Sequence, residues 1–478
     1  MSASDRSWTI APVLLWFTGC VVVALVVLDG GVGALADRFR APHEPAPVLA
    51  PGPVFTPKPV VVAEAPDSPG TSSSPGHPVA GDADNTTPGP IVAADRSKIL
   101  ALEDRCLDGT PDKCKRWAMD GFYRAVGQTK AGKLGRALRV SWYGDSVIAT
   151  DAIPARMRSR IQDELGDGGP GFVFVVPPHR FCGHEAITRG SGGSWTTHAI
   201  STTPVADGLY GVGGSTAETD DGRATIKLVS GTASQVELYY LAQPHGGTVA
   251  ITADGKPVAK VETKGASKAP GYAAATLEGG AAKFDLAVSG KVRLFGLSLE
   301  NPRGAVVDNL GVVSVNVKSF DVNKPEHFQA ELAHRSADLV MIMIGANEAE
   351  WLGPTDRDTK AYGEHYGKLL AEIRAGRPDG SCLVVSPTDQ AEAAKDGSFT
   401  SRPVMPLLVK AQREAAFAHG CAFYSTYEWM GGHGSAAKWF RKGLVGTDFQ
   451  HLSRTGANRL SDGLFGTLMA GYQKYAAH

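Results

Sequence analysis

Short apolar runs alternating with amphipathic stretches constrain this chain more than any other feature. Residues 137–143 (Ala-Leu-Arg-Val-Ser-Trp-Tyr) read as a buried strand, and 151–165 read as a helix. The alternation resumes with a strand at 338–344, a helix at 360–374, a strand at 382–386, a helix at 402–419, a strand at 421–425 and a helix at 455–475. Apolar runs this short and continuous suit strands covered on both faces, and the longer stretches carry the helical spacing of apolar positions. Strand and helix in turn predict an α/β fold, because parallel strands need long crossovers and helices are the crossovers that bury a sheet. A further amphipathic stretch, 98–124, precedes the first strand.

One region breaks the pattern. From 181 to 301 no helix of useful length appears, while 225–229, 235–241, 248–252, 258–262, 283–288 and 291–299 read as short strands. Asp254-Gly255 and Pro270-Gly271 read as turns between some of them, which suits an antiparallel β-sandwich. A βαβ crossover takes about 30 residues, far fewer than lie between the first and second clear strands of the α/β pattern. An inserted β-sandwich explains the gap.

At 478 residues the chain is too long for one ordinary core. Its start, from 10 to 28, is apolar and uncharged, close to the ~20 residues that cross a bilayer as a helix. It predicts a transmembrane anchor. The competing reading is a cleaved signal peptide, whose apolar region is usually shorter (~7–15 residues) and is followed by a small-x-small site that this chain lacks. Pro, Ala, Gly, Ser and Thr dominate the next stretch, which cannot bury enough apolar surface to fold. The expected division is an anchor at 1–40, a disordered Pro-rich linker at 41–93, the first part of the α/β domain at 94–180, the insertion at 181–303 and the second part at 304–478.

Lys and Arg (48) nearly balance Asp and Glu (49), so nothing in the charge suggests a nucleic-acid partner. Six cysteines are present. Cys106 and Cys114 flank the turn-forming Gly109-Thr110-Pro111 and suit a short disulfide-closed loop in an oxidising compartment, whereas Cys182, Cys382 and Cys421 read as buried free thiols. Trp351, Trp429 and Trp439 read as core or rim packing with a sugar groove as the alternative, and His179, His184 and His433 as surface or loop residues without metal-ligand spacing.

Three short motifs fall at strand ends or helix starts. Tyr143-Gly144-Asp145-Ser146 ends the first strand, Ile344-Gly345-Ala346-Asn347 ends the next clear one, and Asp448-Phe449-Gln450-His451 precedes the final helix. In an open parallel sheet the carboxyl ends of the strands are where ligands bind. A carboxylate three residues before an imidazole can hold that ring toward a serine, and a side-chain amide can donate to an oxyanion. Singly, each motif reads more readily as a cap or a turn. Together, in this order, they are consistent with acyl transfer.

These residues resemble the SGNH (GDSL-like) hydrolase superfamily, whose blocks carry Ser in Gly-Asp-Ser, a Gly, Asn in Gly-x-Asn, and Asp-x-x-His near the C-terminus. The resemblance implies a three-layer α/β/α, flavodoxin-like domain, with Ser146 as nucleophile, His451 as general base, Asp448 as its orienting partner and Asn347 as an oxyanion donor. In the second block, Leu310-Gly311-Val312-Val313-Ser314, the best register places Ser314 where the family has Gly as a backbone donor, with Gly311 as the alternative. An insertion after the nucleophile, and the run 290–301 leading into Asp308-Asn309-Leu310-Gly311, resemble bacterial peptidoglycan O-acetylesterases with a carbohydrate-binding-module-like insert. With the apolar segment 10–28 as anchor, the expectation is a membrane-anchored enzyme outside the cytoplasm, periplasmic or on the cell surface. It would remove acetyl groups from an O-acetylated polysaccharide, without cofactor or metal. An O-acetyltransferase using the same residues and an inactive carbohydrate-binding scaffold are the alternatives.

Overall fold

The computed structural model describes residues 95–393 and 398–477. The segments read as anchor (1–40) and linker (41–93) lie outside the described residues. Among the described residues no helix is long and apolar enough to cross a membrane.

Five parallel strands make the central sheet: β1 (Leu138–Gly144), β2 (Ala305–Gly311), β3 (Leu339–Met343), β4 (Ser381–Val385) and β5 (Ala422–Tyr424). Their spatial order is β2-β1-β3-β4-β5, the order of flavodoxin-like sheets, and Leu102–Glu103 pairs antiparallel on the outer edge of β5. The helices that matter for the site and its support are α1 (Asp120–Lys130), α2 (Ser146–Ala149), α3 (Ala152–Leu165), α4 (Pro325–Arg335), α5 (Glu348–Trp351), α6 (Asp356–Gly376), α7 (Met405–Ala418) and α8 (Arg454–Ala476). α1, α3 and α8 cover one face of the sheet, α4, α6 and α7 the other. Strand β3 shows why both faces must be covered. Leu339, Met341 and Met343 pack toward the first group, and Val340 and Ile342 toward the second, so every residue is apolar and buried. This is the three-layer α/β/α arrangement that the alternation predicts.

The register then sets the site. Gly311 at the end of β2 and Met343 at the end of β3 both lie opposite Gly144 at the end of β1, so three strands finish level at one rim.

Between α3 and β2 the chain builds two antiparallel sheets. One runs Lys256–Glu262, Thr248–Ala253, Lys283–Ser289, Arg223–Leu228, Ile187–Gly192; the other runs Ala269–Ala281, Ala233–Ala242, Val292–Glu300, Ser215–Thr219, Thr196–Ala199. A single apolar cluster takes Ile226, Val249 and Leu286 from the first and Val236, Leu238 and Leu297 from the second. The last inserted strand is also tied to the α/β layers by buried charge. Glu300 pairs with Arg139 of β1 at 2.8 Å and Arg335 of α4 at 2.6 Å, and Arg335 in turn pairs with Asp308 of β2 at 2.7 Å.

Several expectations need correction. Pro270-Gly271 is not a turn; both residues lie in the strand Ala269–Ala281, opposite Leu241 and Tyr240. That strand is at a sheet edge, where a residue without an N–H leaves no ladder bond broken. Asp254-Gly255 does turn the chain, with both residues at positive φ. Strand β2 had no counterpart in the sequence reading. Cys382 and Cys421 are not free thiols but a disulfide with a Cα separation of 4.7 Å, because β4 and β5 run side by side and bring together residues 39 apart in sequence. Cys106–Cys114 is the expected short-loop disulfide, and Cys182 is buried and pairs with no other cysteine among the described residues. His184 is in a loop yet buried, its imidazole pushed down to about 3 by burial and by the neighbouring Arg158 charge.

Candidate active site

The turn after β1 is tight. A Cβ at Gly144 would lie 2.3 Å from the Ile148 side chain, so only glycine lets α2 fold back onto the strand end. Asp145 caps α2, accepting from the Val147 N–H at 3.0 Å, while its other oxygen accepts from the Ala346 N–H at 3.3 Å. One buried carboxyl thus joins the end of β1 to the segment after β3. Burial pushes it up to about 6, against the pull of those N–H groups and of His451. Ser146 opens α2 half-buried, and as the first helical residue its N–H has no intrahelical partner.

His451 Nε2 lies 2.8 Å from Ser146 Oγ, and Nδ1 lies 2.7 Å from Asp448 Oδ2. The other Asp448 oxygen accepts from the N–H groups of Gln450 and His451, each at 3.0 Å. Burial works to raise the Asp448 carboxyl, but those N–H groups and the imidazole outweigh it and hold it below the usual range. An ionised carboxylate only accepts, so the ring proton sits on Nδ1 and Nε2 is free to accept from the serine hydroxyl. The capping alternative for this pair fails, since Ser453 caps α8 by accepting from the Gly456 N–H.

Asn347 does not cap α5 with its side chain. Its carboxamide donates to the Val315 carbonyl at 2.7 Å, which places it against the loop after β2 and leaves one of its two N–H groups for another acceptor. On that loop the two sequence candidates separate. Gly311 donates its N–H to Asn309 Oδ1 at 3.0 Å, and a Cβ there would come within 2.4 Å of the Ala149 nitrogen, so this glycine serves the close approach of β2 to α2. Ser314 is exposed at φ 62°, a conformation that favours glycine, and its N–H has no hydrogen-bond partner among the described residues. Hydrogen bonds join Ser146, His451 and Asp448 directly, while Asn347 and Ser314 lie on the segments that follow β3 and β2 at the same rim, linked through the Val315 carbonyl, and Gly311 packs behind against α2.

Such a set can move a proton from a serine hydroxyl to an imidazole and offer N–H groups to a developing oxyanion. Residues 287–458 match the GDSL-like lipase/acylhydrolase family. The solved structure of a peptidoglycan O-acetylesterase superposes with a TM-score of 0.63 at 23% identity, over 74% of this chain and 97% of that one. The family match and the shared fold support an SGNH-type carboxylic ester hydrolase. Ser146 precedes the matched residues, as an insertion after the first block requires. A family two carbohydrate esterase from Clostridium thermocellum, solved with cellohexaose, has a TM-score of 0.21 at 8% identity over 57% of this chain and 97% of that one. The acetyl xylan esterase AlAXEase has 0.26 at 12%, over 34% of this chain and 79% of that one. No curated protein sequence matches.

Sequence reasoning missed two residues of this site. Asp145 was read only as part of Gly-Asp-Ser, and its bridge to Ala346 is invisible without the fold. Asn309 orders the rim, donating to the carbonyls of Ala149 and Gly183 at 3.2 Å each, and no spacing signals it.

Proposed function

We propose that this hydrolase removes O-acetyl groups from a cell-envelope polysaccharide, peptidoglycan, with Ser146, His451 and Asp448 as its triad. The reading is carried by the two hydrogen bonds in series, serine to imidazole at 2.8 Å and imidazole to carboxylate at 2.7 Å. Ser146 Oγ attacks the acetyl carbonyl while His451 takes its proton. His451 then returns that proton to the departing sugar hydroxyl, leaving an acetyl-enzyme that water, activated by the same imidazole, hydrolyses. The oxyanion is held by the N–H groups of Ser146 and Ser314 and by the Asn347 side chain, each such donor being worth about 3 kcal/mol.

A polymeric sugar substrate is supported by the aromatic side chains around the site. Phe181 is 53% exposed, on a loop fastened to the nucleophile helix by the Gly183 N–H to the Ala149 carbonyl. Its ring is overlaid by the Arg180 guanidinium at 4.7 Å. Trp351, 54% exposed, ends the short helix that begins after Asn347, and Phe399 packs at 4.5 Å on Phe449, next to Asp448. Open apolar ring faces pack well on the C–H faces of sugars. Hydrolysis over transfer is supported by the exposure of His451, whose side chain is 40% open to water. A place outside the cytoplasm fits the two disulfides and the apolar segment 10–28, with the linker 41–93 as the reach from a membrane into a wall layer.

The test is acetate release from O-acetylated peptidoglycan, acetylated xylan and nitrophenyl acetate, with Ser146→Ala as control and an oligosaccharide acceptor in a parallel arm. Release from peptidoglycan that Ser146→Ala abolishes is expected. Acetylated oligosaccharide formed at the expense of acetate identifies a transferase, and a wild type that a fluorophosphonate fails to label identifies a scaffold.

A further inference from the structure

Resting on the triad reading above, we propose that Glu348 is a positioning residue that fixes the loop after β2, so that the Ser314 N–H is presented to the oxyanion. The residue follows Asn347, opens α5 and is fully buried. Its Oε1 accepts from the Val317 N–H at 2.7 Å, three residues beyond Ser314. Asn347 holds the same segment from the other side of a peptide unit, through the Val315 carbonyl at 2.7 Å. Two consecutive side chains therefore grip the chain just past the donor.

The remaining amides of this segment show how complete the grip is. Val312 donates to the Gly144 carbonyl at 3.0 Å, Val313 to the Cys182 sulfur, and Val315 to the Val312 carbonyl at 3.2 Å. Asn316 donates to Ser319 Oγ at 3.1 Å and Lys318 to Asn316 Oδ1 at 3.0 Å. From Val312 to Lys318 the one N–H without a partner among the described residues belongs to Ser314, at the position with φ 62°. A single open donor in a run of satisfied ones is an arrangement for an incoming acceptor. Holding a serine in this left-handed conformation costs free energy, so the anchors on both sides are needed.

Glu348 is costly to the fold. Its Oε2 is buried with no hydrogen-bond partner among the described residues, and burial pushes the carboxyl up to about 7, with the Asp145 charge adding to the shift and the Val317 N–H opposing it. An apolar side chain would fill the space without that cost. A buried carboxylate instead gives the Val317 N–H a stronger, directional acceptor than a neutral group would. Spending stability to fix geometry is expected next to reacting atoms and not in an ordinary core.

The experiment compares Glu348→Ala, Glu348→Gln and Val317→Pro in the full chain, measuring kcat and KM for nitrophenyl acetate alongside the melting temperature. Val317→Pro removes the same hydrogen bond from the donor side, at the first position of a helical turn that follows an extended residue, where proline fits. Expected are a fall in kcat of about 30-fold or more for Glu348→Ala and Val317→Pro with KM within about twofold, and recovery to within about fivefold of wild type in Glu348→Gln, which keeps a carbonyl acceptor. A kcat within about twofold of wild type in either Glu348→Ala or Val317→Pro, or equal impairment of the alanine and glutamine variants, overturns the proposal. A purely structural role would lower the melting temperature and leave kcat per folded molecule unchanged. Activity that survives in Ser146→Ala overturns the triad reading itself, whereas loss in that control with wild-type kinetics in the Glu348 variants removes only the role of Glu348.

Discussion

Gly311 spends its N–H on the Asn309 carboxamide oxygen at 3.0 Å, and the loop donor that remains open is Ser314. The serine replaces a glycine that the family resemblance leads one to expect, yet adopts the φ of 62° that glycine favours. What the chemistry needs there is a backbone N–H, so Ser314→Gly should keep kcat within about threefold of wild type. Ser314→Pro, which has no N–H and cannot reach positive φ, should lose about 100-fold, as should Asn347→Ala. Steady-state hydrolysis of nitrophenyl acetate checks all three, and full activity in Ser314→Pro would remove this residue from the site.

Glu331 sits completely buried on α4, accepting from the Val212 N–H and the Tyr272 hydroxyl at 3.1 Å each. Burial, with the Glu237 charge adding, raises its carboxyl from 4.5 to about 8 despite those donors. The folded state thus holds this proton more tightly than the unfolded chain does. Its stabilising contribution is complete below the unfolded value of 4.5 and is lost as pH rises through about 8. Glu331→Gln cannot ionise, so its melting temperature should match wild type near pH 5 and exceed it increasingly toward pH 9. A constant offset across that range would contradict the assignment.

The Cys382–Cys421 bridge closes 39 residues between neighbouring strands beneath the α7 side of the sheet. In the chain-entropy account a loop of that length contributes about 3–4 kcal/mol. The paired substitution Cys382→Ala with Cys421→Ala should lower the denaturant midpoint accordingly and steepen the transition, because the unfolded chain becomes more open. Wild type under reducing conditions, which also opens Cys106–Cys114, should shift at least as far, and no shift in the paired variant would show that the bridge does not form in solution.

Phe181 offers an exposed ring beside the nucleophile helix, fastened there by the Gly183 and Ala149 backbones. If it packs against a sugar, Phe181→Ala should raise KM for O-acetylated peptidoglycan about tenfold while nitrophenyl acetate kinetics stay within about twofold. Equal effects on both substrates would place the ring in support of the site instead of the glycan.

The alternation of apolar runs and amphipathic stretches was enough to specify a parallel sheet covered by helices on both faces, because burial of a strand or helix face is written into local periodicity, but it did not reveal β2, whose pairing with β1 is non-local. Gly-Asp-Ser, Gly-x-Asn and Asp-x-x-His were legible for the same reason, each being a short segment at an element boundary. Only the tertiary structure decided which amide is open, since that depends on an acceptor such as Asn309 Oδ1 folding over Gly311. Likewise the Cys382–Cys421 bond, the edge position that accommodates Pro270, and the burial of Glu348 against Val317 arise from neighbours distant in sequence. Register between strands, which sets Gly311 and Met343 level with Gly144, is a long-range hydrogen-bonding choice that no local pattern encodes.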